Sequence, residues 1–354
     1  MSRTLVLGAG SWGTTLALHL DRIGVDTMLW EFDPVRAEEI ARTRRSLPFV
    51  PDHTLPPSIT VTSDLPRALQ ACDVLVVAVP SHALREMAAG IREAMQPRTK
   101  DAGQPSASVA LPARDPASLL WVSATKGIEE GTGLTPRHVL AQEARIPAAS
   151  IVVFAGPSFA HDVAAGRPTA LLAACEDDAR AQAVQRLFSS DSLRVYRNAD
   201  PLGVEIGVSL KNVIAIAAGI AEGLGLGRNA LGALVTRGLA EIGRLGARMG
   251  ARPETFLGLA GIGDLVITCT STLSRNYRVG LGLARGESLE HILSELQMVA
   301  EGVRTCRSAC ELARRLEVEL PITEQIFAVL FEGKDPREAV LELMRRPLKA
   351  EAGE

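Results

Sequence analysis

The sequence predicts an α/β protein in two parts, a doubly wound and mostly parallel sheet domain over residues 1–198 and an all-helical domain over 199–354. Three observations carry this. An apolar run near the start ends in regularly spaced glycines and passes directly into a helical pattern. The alternation of apolar runs with helical segments then repeats as far as Leu193-Arg194-Val195-Tyr196. Beyond Asp200-Pro201 only helical periodicity remains, and a chain of 354 residues is long for one core.

The first unit is Thr4-Leu5-Val6-Leu7, then Gly8-Ala9-Gly10-Ser11-Trp12-Gly13, then the apolar pattern from Thr14 to Leu20. Each glycine answers a physical need: Gly8 makes the tight turn, Gly10 lets a backbone approach a pyrophosphate, and Gly13 lets the helix pack on the strand. The pyrophosphate then sits on the helix N-terminus, where free N–H groups and the dipole favour negative charge. Gly24 ends the helix and Val25 to Trp30 reads as a second strand. Glu31 closes that strand, about 20 residues past the glycines, where a carboxylate accepts hydrogen bonds from a ribose 2′-hydroxyl. With Phe32 beside it, Glu31 joins Gly8, Gly10 and Gly13 as a cofactor-binding position of a Rossmann domain.

The remaining elements follow in order. Arg36, Glu38, Glu39, Arg42, Arg44 and Arg45 alternate in sign along a solvated helix, and Pro48, Pro51, Pro56 and Pro57 keep the next stretch irregular. Ile59 to Thr62 is a strand, and Asp64 is an N-cap for a helix through Ala71. Asp73 to Val79 has the continuous apolar character of a strand covered on both faces. It ends at Pro80-Ser81-His82, where His82 is open to three readings: cofactor contact, helix cap or packed side chain. Leu119 to Ser123 and Ile151 to Phe154 end in the turns Ala124-Thr125-Lys126-Gly127 and Ala155-Gly156-Pro157-Ser158. Residues 97–117, rich in Pro, Ala and Ser, read as a flexible excursion without chemistry. In the second half, the segment around Val204 to Ile216 is apolar nearly all round and therefore buried. Amphipathic helices follow at 230–249, 301–316, 323–331 and 336–344.

Composition narrows the function. An apolar share of 47%, a charged share of 22% and a net charge of −3 describe an ordinary globular chain without a nucleic-acid or anionic-membrane surface as its main partner. Cys72, Cys175, Cys269, Cys306 and Cys310 form no C-x-x-C pair, which points to reduced thiols and a cytoplasmic location. Cys306 and Cys310, one helical turn apart, lack nearby partners for a metal and read as packed thiols, so no metal site is expected. No apolar run reaches the roughly 18 residues needed to cross a bilayer, and stable membrane insertion is not expected.

If the first domain holds a nicotinamide, the protein must supply orientation and a proton. Lys211 in Ser209-Leu210-Lys211-Asn212-Val213 places a cation inside an apolar helix, where desolvation eases proton release. The alternative is a lysine snorkelling to water. Asn212 can hydrogen-bond in the same region. Lys126 and Arg275 are further cations suited to a dianionic phosphate, with Asp264 placed to orient or neutralise part of that group.

Taken in order, Gly8-Ala9-Gly10-Ser11-Trp12-Gly13, Val79-Pro80-Ser81-His82, Ala124-Thr125-Lys126-Gly127, Ala155-Gly156-Pro157-Ser158-Phe159-Ala160, Leu210-Lys211-Asn212-Val213, Gly263-Asp264-Leu265 and Ser274-Arg275-Asn276 resemble the bacterial-type NAD(P)-dependent glycerol-3-phosphate dehydrogenases over almost the whole chain. The resemblance implies reversible reduction of dihydroxyacetone phosphate to sn-glycerol 3-phosphate for phospholipid synthesis. It implies that Lys211 is proton donor and acceptor, and that Lys126, Gly156, Ser158, Asp264, Ser274, Arg275 and Asn276 contact substrate. Ser11, Trp12, Ala160, Val299 and Glu301 are then cofactor positions, with Lys126 and Arg275 touching both ligands. Two departures stand out: the long 97–117 segment, and Trp30-Glu31-Phe32-Asp33, which lacks the basic or histidine residue often found there. An acidic Glu31 repels a 2′-phosphate, so NAD is expected to be preferred over NADP, although arginines between 36 and 45 can weaken that preference. A homodimer is the default assembly. Two rivals remain open: a two-domain dehydrogenase acting on a hydroxy acid or sugar acid, and a catalytically silent nucleotide sensor.

Overall fold

In the computed structural model, which describes residues 3–97, 111–296, 299–348 and 350–351, the opening run folds as β1 (Thr4–Leu7) and α1 (Ser11–Arg22). The chain divides into two compact units, Met1–Glu129 with Leu134–Glu205 and Glu130–Gly133 with Ile206–Glu354.

The first unit continues with β2 (Thr27–Trp30), α2 (Pro34–Thr43), β3 (Thr60–Thr62), α3 (Leu65–Ala71), β4 (Val74–Val77) and α4 (Leu84–Ala94). Then come β5 (Leu120–Ser123), α5 (Pro136–Ala144), β6 (Ile151–Ala155), α6 (Ala160–Ala164), β7 (Thr169–Ala174), α7 (Asp178–Phe188) and β8 (Leu193–Asn198). The eight strands form one sheet in the order β3-β2-β1-β4-β5-β6-β7-β8. Every neighbouring pair is parallel except β6 with β7. Helices cover both faces: one core gathers Leu16, Leu20, Phe154 and Phe188, the other Leu69, Ile91, Trp121 and Leu140. This is the doubly wound arrangement expected from the sequence. Gly8 adopts φ +105°, and a Cβ on Gly13 would lie 2.0 Å from the Gly8 carbonyl oxygen, so the turn closes only with glycine at both positions.

Strand β7 escaped the sequence reading. Thr-Ala-Leu-Leu-Ala-Ala has one β-branched residue and reads as helical by propensity; pairing on both sides and burial make it a strand. Of the 97–117 segment, residues 98–110 lie outside the described ones. The remainder is fastened: Arg114 N donates to Met95 O at 2.9 Å, Gln70 Nε2 donates to Pro112 O at 2.8 Å, and Asp115 caps a short turn through Ala117 N at 2.9 Å.

The second unit is helical: α8 (Pro201–Gly223), α9 (Gly227–Met249), α10 (Pro253–Phe256), α11 (Asp264–Cys269), α12 (Arg275–Ala284), α13 (Leu289–Leu296), α14 (Glu301–Leu316), α15 (Pro321–Phe331) and α16 (Pro336–Met344). The division between the units falls inside α8, after Glu205. Helix α8 corrects one sequence expectation. At 23 residues, with an 18-residue window of mean hydropathy 1.6, it is long and apolar enough to cross a bilayer, yet that window is wholly buried in the fold. Its three charged residues, Glu205, Lys211 and Glu222, break the run when letters are read singly, while the averaged helix remains apolar. Helix α12 crosses it closely. A Cβ on Gly219 would meet Tyr277 O at 2.0 Å, and one on Gly280 would meet Ile216 O at 2.0 Å. All five cysteines are free and buried.

Candidate active site

In the first unit, the positions singled out in the sequence follow the carboxyl ends of parallel strands: Gly8 after β1, Glu31 after β2, Lys126 after β5 and Gly156 after β6. Winding reverses between β1 and β4, the place in such a sheet where a crevice opens for a ligand. The turn fits a dinucleotide. A Cβ at Gly10 would have nothing within 4 Å, leaving room over the start of α1 for a pyrophosphate. The buried Trp12 Nε1 has no hydrogen-bond partner among the described residues. Ser11 Oγ donates to Phe49 O at 3.3 Å, and Thr15 Oγ1 donates to Ala160 O at 3.3 Å, tying α1 to the start of α6.

Glu31 is 3% exposed while Phe32 is 75% exposed, so the carboxylate turns inward and the ring faces solvent. Gly156 takes φ +142°, and Ser158 Oγ donates to its carbonyl at 3.1 Å. Lys126 is half-buried. His82 lies exposed on a single turn after β4, which removes the packed reading.

In the second unit, Lys211 does not snorkel. Its Nζ donates to Asp264 Oδ1 at 2.5 Å and to Thr268 Oγ1 at 2.8 Å, with 7% of the lysine side chain and none of the aspartate exposed. Thr268 Oγ1 also lies 2.5 Å from Asp264 O, the ordinary i−4 contact of a helical threonine. Asp264, read from the sequence as facing a phosphate, is here the counter-ion of the ammonium. Cys269 beside them is inert as a nucleophile, because burial pushes its thiol up to about 12, Lys211 pulling down and Asp264 up.

A second pair joins three elements: Asn276 Nδ2 donates to Asn212 Oδ1 at 3.0 Å, and Gly302 N donates to Asn276 Oδ1 at 2.9 Å. Ser274 caps α12 by accepting from Tyr277 N at 3.2 Å. Burial holds the Arg275 guanidinium below its usual pKa, and Glu301, first residue of α14, opposes that. Val299 stands just before, 36% exposed. Thr268 and Gly302 were missed in the sequence; the only cue to Thr268 is its place one turn after Asp264. Glu287, His291 and Glu295 bring potential ligating atoms within 4.8 Å of one another, but His291 and Glu295 are exposed, as solvated charges are.

The comparisons with known proteins decide the family. The profile described as the NAD-dependent glycerol-3-phosphate dehydrogenase N-terminus matches residues 4–181, and that described as its C-terminus matches residues 200–341. The chain belongs to the NAD-dependent glycerol-3-phosphate dehydrogenase family. A relative from Geobacter sulfurreducens named glycerol-3-phosphate dehydrogenase (NAD(P)+) is 49% identical over 98% of both chains. One from Salinibacter ruber with the same name and the number 1 is 47% identical over 99% of this chain and 97% of its own. The crystal structure of glycerol-3-phosphate dehydrogenase from Coxiella burnetii superimposes with a TM-score of 0.87 at 35% identity, covering 98% of this chain and 99% of that one. As a member of the NAD-dependent glycerol-3-phosphate dehydrogenase family, the protein is an oxidoreductase that works with NAD or NADP.

Proposed function

We propose that the protein catalyses reversible reduction of dihydroxyacetone phosphate to sn-glycerol 3-phosphate, with NAD preferred over NADP, in the cytoplasm and for glycerophospholipid synthesis. The observation that carries this reading is the buried ammonium of Lys211, held by Asp264 and Thr268 in an otherwise apolar helix. A structural lysine gains nothing from such a position, whereas a carbonyl becoming an alkoxide needs a proton donor whose charge is fixed in place.

The nicotinamide supplies the hydride when bound. Gly8, Gly10, Ser11, Trp12, Gly13, Ala160, Glu31 and Phe32 in the first unit, with Val299 and Glu301 in the second, are the proposed cofactor positions. Lys211 gives its proton to the ketone oxygen as negative charge grows there, and takes one from the alcohol in the reverse direction. Asp264 stabilises the ammonium form, so the neutral amine takes a proton back from water after each turnover, and Thr268 limits where the amine points. Asn212 and Asn276 brace one another beside Lys211. Lys126 and Arg275 are the proposed phosphate cations, assisted by Gly156, Ser158, Ser274 and Asn276. Residues 1–198 are assigned the cofactor and 199–354 the acid and most substrate contacts, in a homodimer.

The test is the absorbance of NADH on adding dihydroxyacetone phosphate. Loss of absorbance with the wild type and its near-absence with Lys211→Ala is expected. Oxidation with a hydroxy-acid precursor in place of dihydroxyacetone phosphate would refute the substrate.

A further inference from the structure

Glu31 is not a bare carboxylate at the end of β2. Its Oε2 lies 3.5 Å from Nη1 of Arg36, on the first turns of α2. The other terminal nitrogen, Nη2, donates to Ala9 O in the glycine turn at 3.1 Å. The guanidinium also lies over the Phe49 ring, 4.6 Å from its centroid, and Ser46 Oγ shares the Ala9 carbonyl at 2.7 Å. Arg36 thus spans the gap between the glycine turn and the end of the second strand, where a Rossmann domain holds the adenosine ribose. It keeps 26% of its side chain exposed, while the Glu31 side chain keeps 4%. The more accessible charge at that place is positive, although the residue terminating the strand is negative.

We propose that Arg36 is the residue that admits NADP to this protein. It offsets the repulsion of Glu31 and offers its planar donors to a 2′-phosphate, while Glu31 stays available to a free 2′-hydroxyl. One guanidinium serves both cofactors: beside NAD it stays paired with Glu31, and beside NADP it turns its outer N–H groups to the phosphate, since a guanidinium has five donors and a carboxylate uses at most two at once. The acidic residue sets the preference, and the arginine sets how strong it is. This rests on the dinucleotide-binding reading of the first unit and deepens it.

The experiment is direct titration by nicotinamide fluorescence, with NADH and NADPH separately, of the wild type, Arg36→Leu, Arg36→Lys and Glu31→Gln, without substrate. Arg36→Leu is expected to weaken NADPH at least tenfold and NADH less than about threefold, since a lost charge-assisted bond removes affinity of that order. Arg36→Lys recovers part of the NADPH affinity, because charge is kept and the bidentate geometry is lost. Glu31→Gln tightens NADPH and weakens NADH. Equal weakening of both cofactors in Arg36→Leu would make the arginine merely a brace for the glycine turn and overturn the proposal, as would unchanged NADPH affinity. A wild type that binds neither cofactor would instead overturn the dinucleotide reading itself, and the proposal with it.

Discussion

The Glu241 carboxylate accepts both hydrogen bonds that Thr323 can donate, from the backbone N at 3.2 Å and from Oγ1 at 3.0 Å. Oε1 takes a third, from Ile322 N at 2.5 Å, so one side chain of α9 satisfies the opening turn of α15. Burial nevertheless raises its pKa to about 7, against the pull of these donors.

The sign of the pH dependence follows. An unfolded glutamate loses its proton near pH ~4.3, whereas the folded carboxyl keeps it to about 7. Between those values the native state holds more protons, so stability is greatest below the unfolded pKa, falls as pH rises through the window, and levels off above it. The stability lost across the window is about 4 kcal/mol. Glu205, buried and also raised to about 7 chiefly by desolvation, adds a second component of the same sign. Urea unfolding at about pH 5 and about pH 8 should show the slope in the wild type and a smaller one in Glu241→Gln; equal slopes would contradict the assignment.

Removing the proton donor should act on turnover. Lys211→Ala is expected to lower kcat by ~10²–10⁴ with a smaller effect on KM. Asp264→Asn removes the counter-ion of a buried charge and should cost about 3–5 kcal/mol of stability. Steady-state kinetics paired with chemical denaturation separates the two effects.

The second and third glycines of the turn, Gly10 and Gly13, should fail differently. Gly10→Ala places a methyl group in open space, so Tm should hold while NADH affinity falls, because the methyl occupies the place of the pyrophosphate. Gly13→Ala drives a methyl into the Gly8 carbonyl and should lower Tm as well. Thermal melts with and without NADH distinguish them.

Arg275→Ala should chiefly weaken the substrate, by about 1.5–3 kcal/mol for each charge-assisted bond lost. A raised KM for dihydroxyacetone phosphate with kcat reduced less is the expected pattern.

Much of this was readable in advance where local chemistry and global fold agree. The glycine turn and the Asp64 cap follow from steric and capping rules, the limits of α14 and α16 from amphipathic periodicity, and the structure has them there. The ion pair of Lys211 was not readable, since Asp264 lies 53 residues away and its partner depends on how α11 packs on α8. Strand β7 was missed because tertiary pairing overrides the weak propensity of an alanine-rich hexapeptide. Arg36 showed as one of several arginines on a solvated helix able to weaken the NAD preference; singling it out, and its grip on Ala9, needs the fold.

Helix α8 has a cost that appears only while the protein is being made. Its glycine-lined side is covered by α12, about 60 residues later in the chain, so a nascent chain whose α8 has left the ribosome before α12 displays an anchor-like segment with that side uncovered. Until Arg275–Ala284 emerges, that side of the hydrophobic rod faces water. The half-made chain is therefore a client for holdase chaperones, and truncations ending between the two helices should be recovered with membranes or in inclusion bodies, not as free monomer.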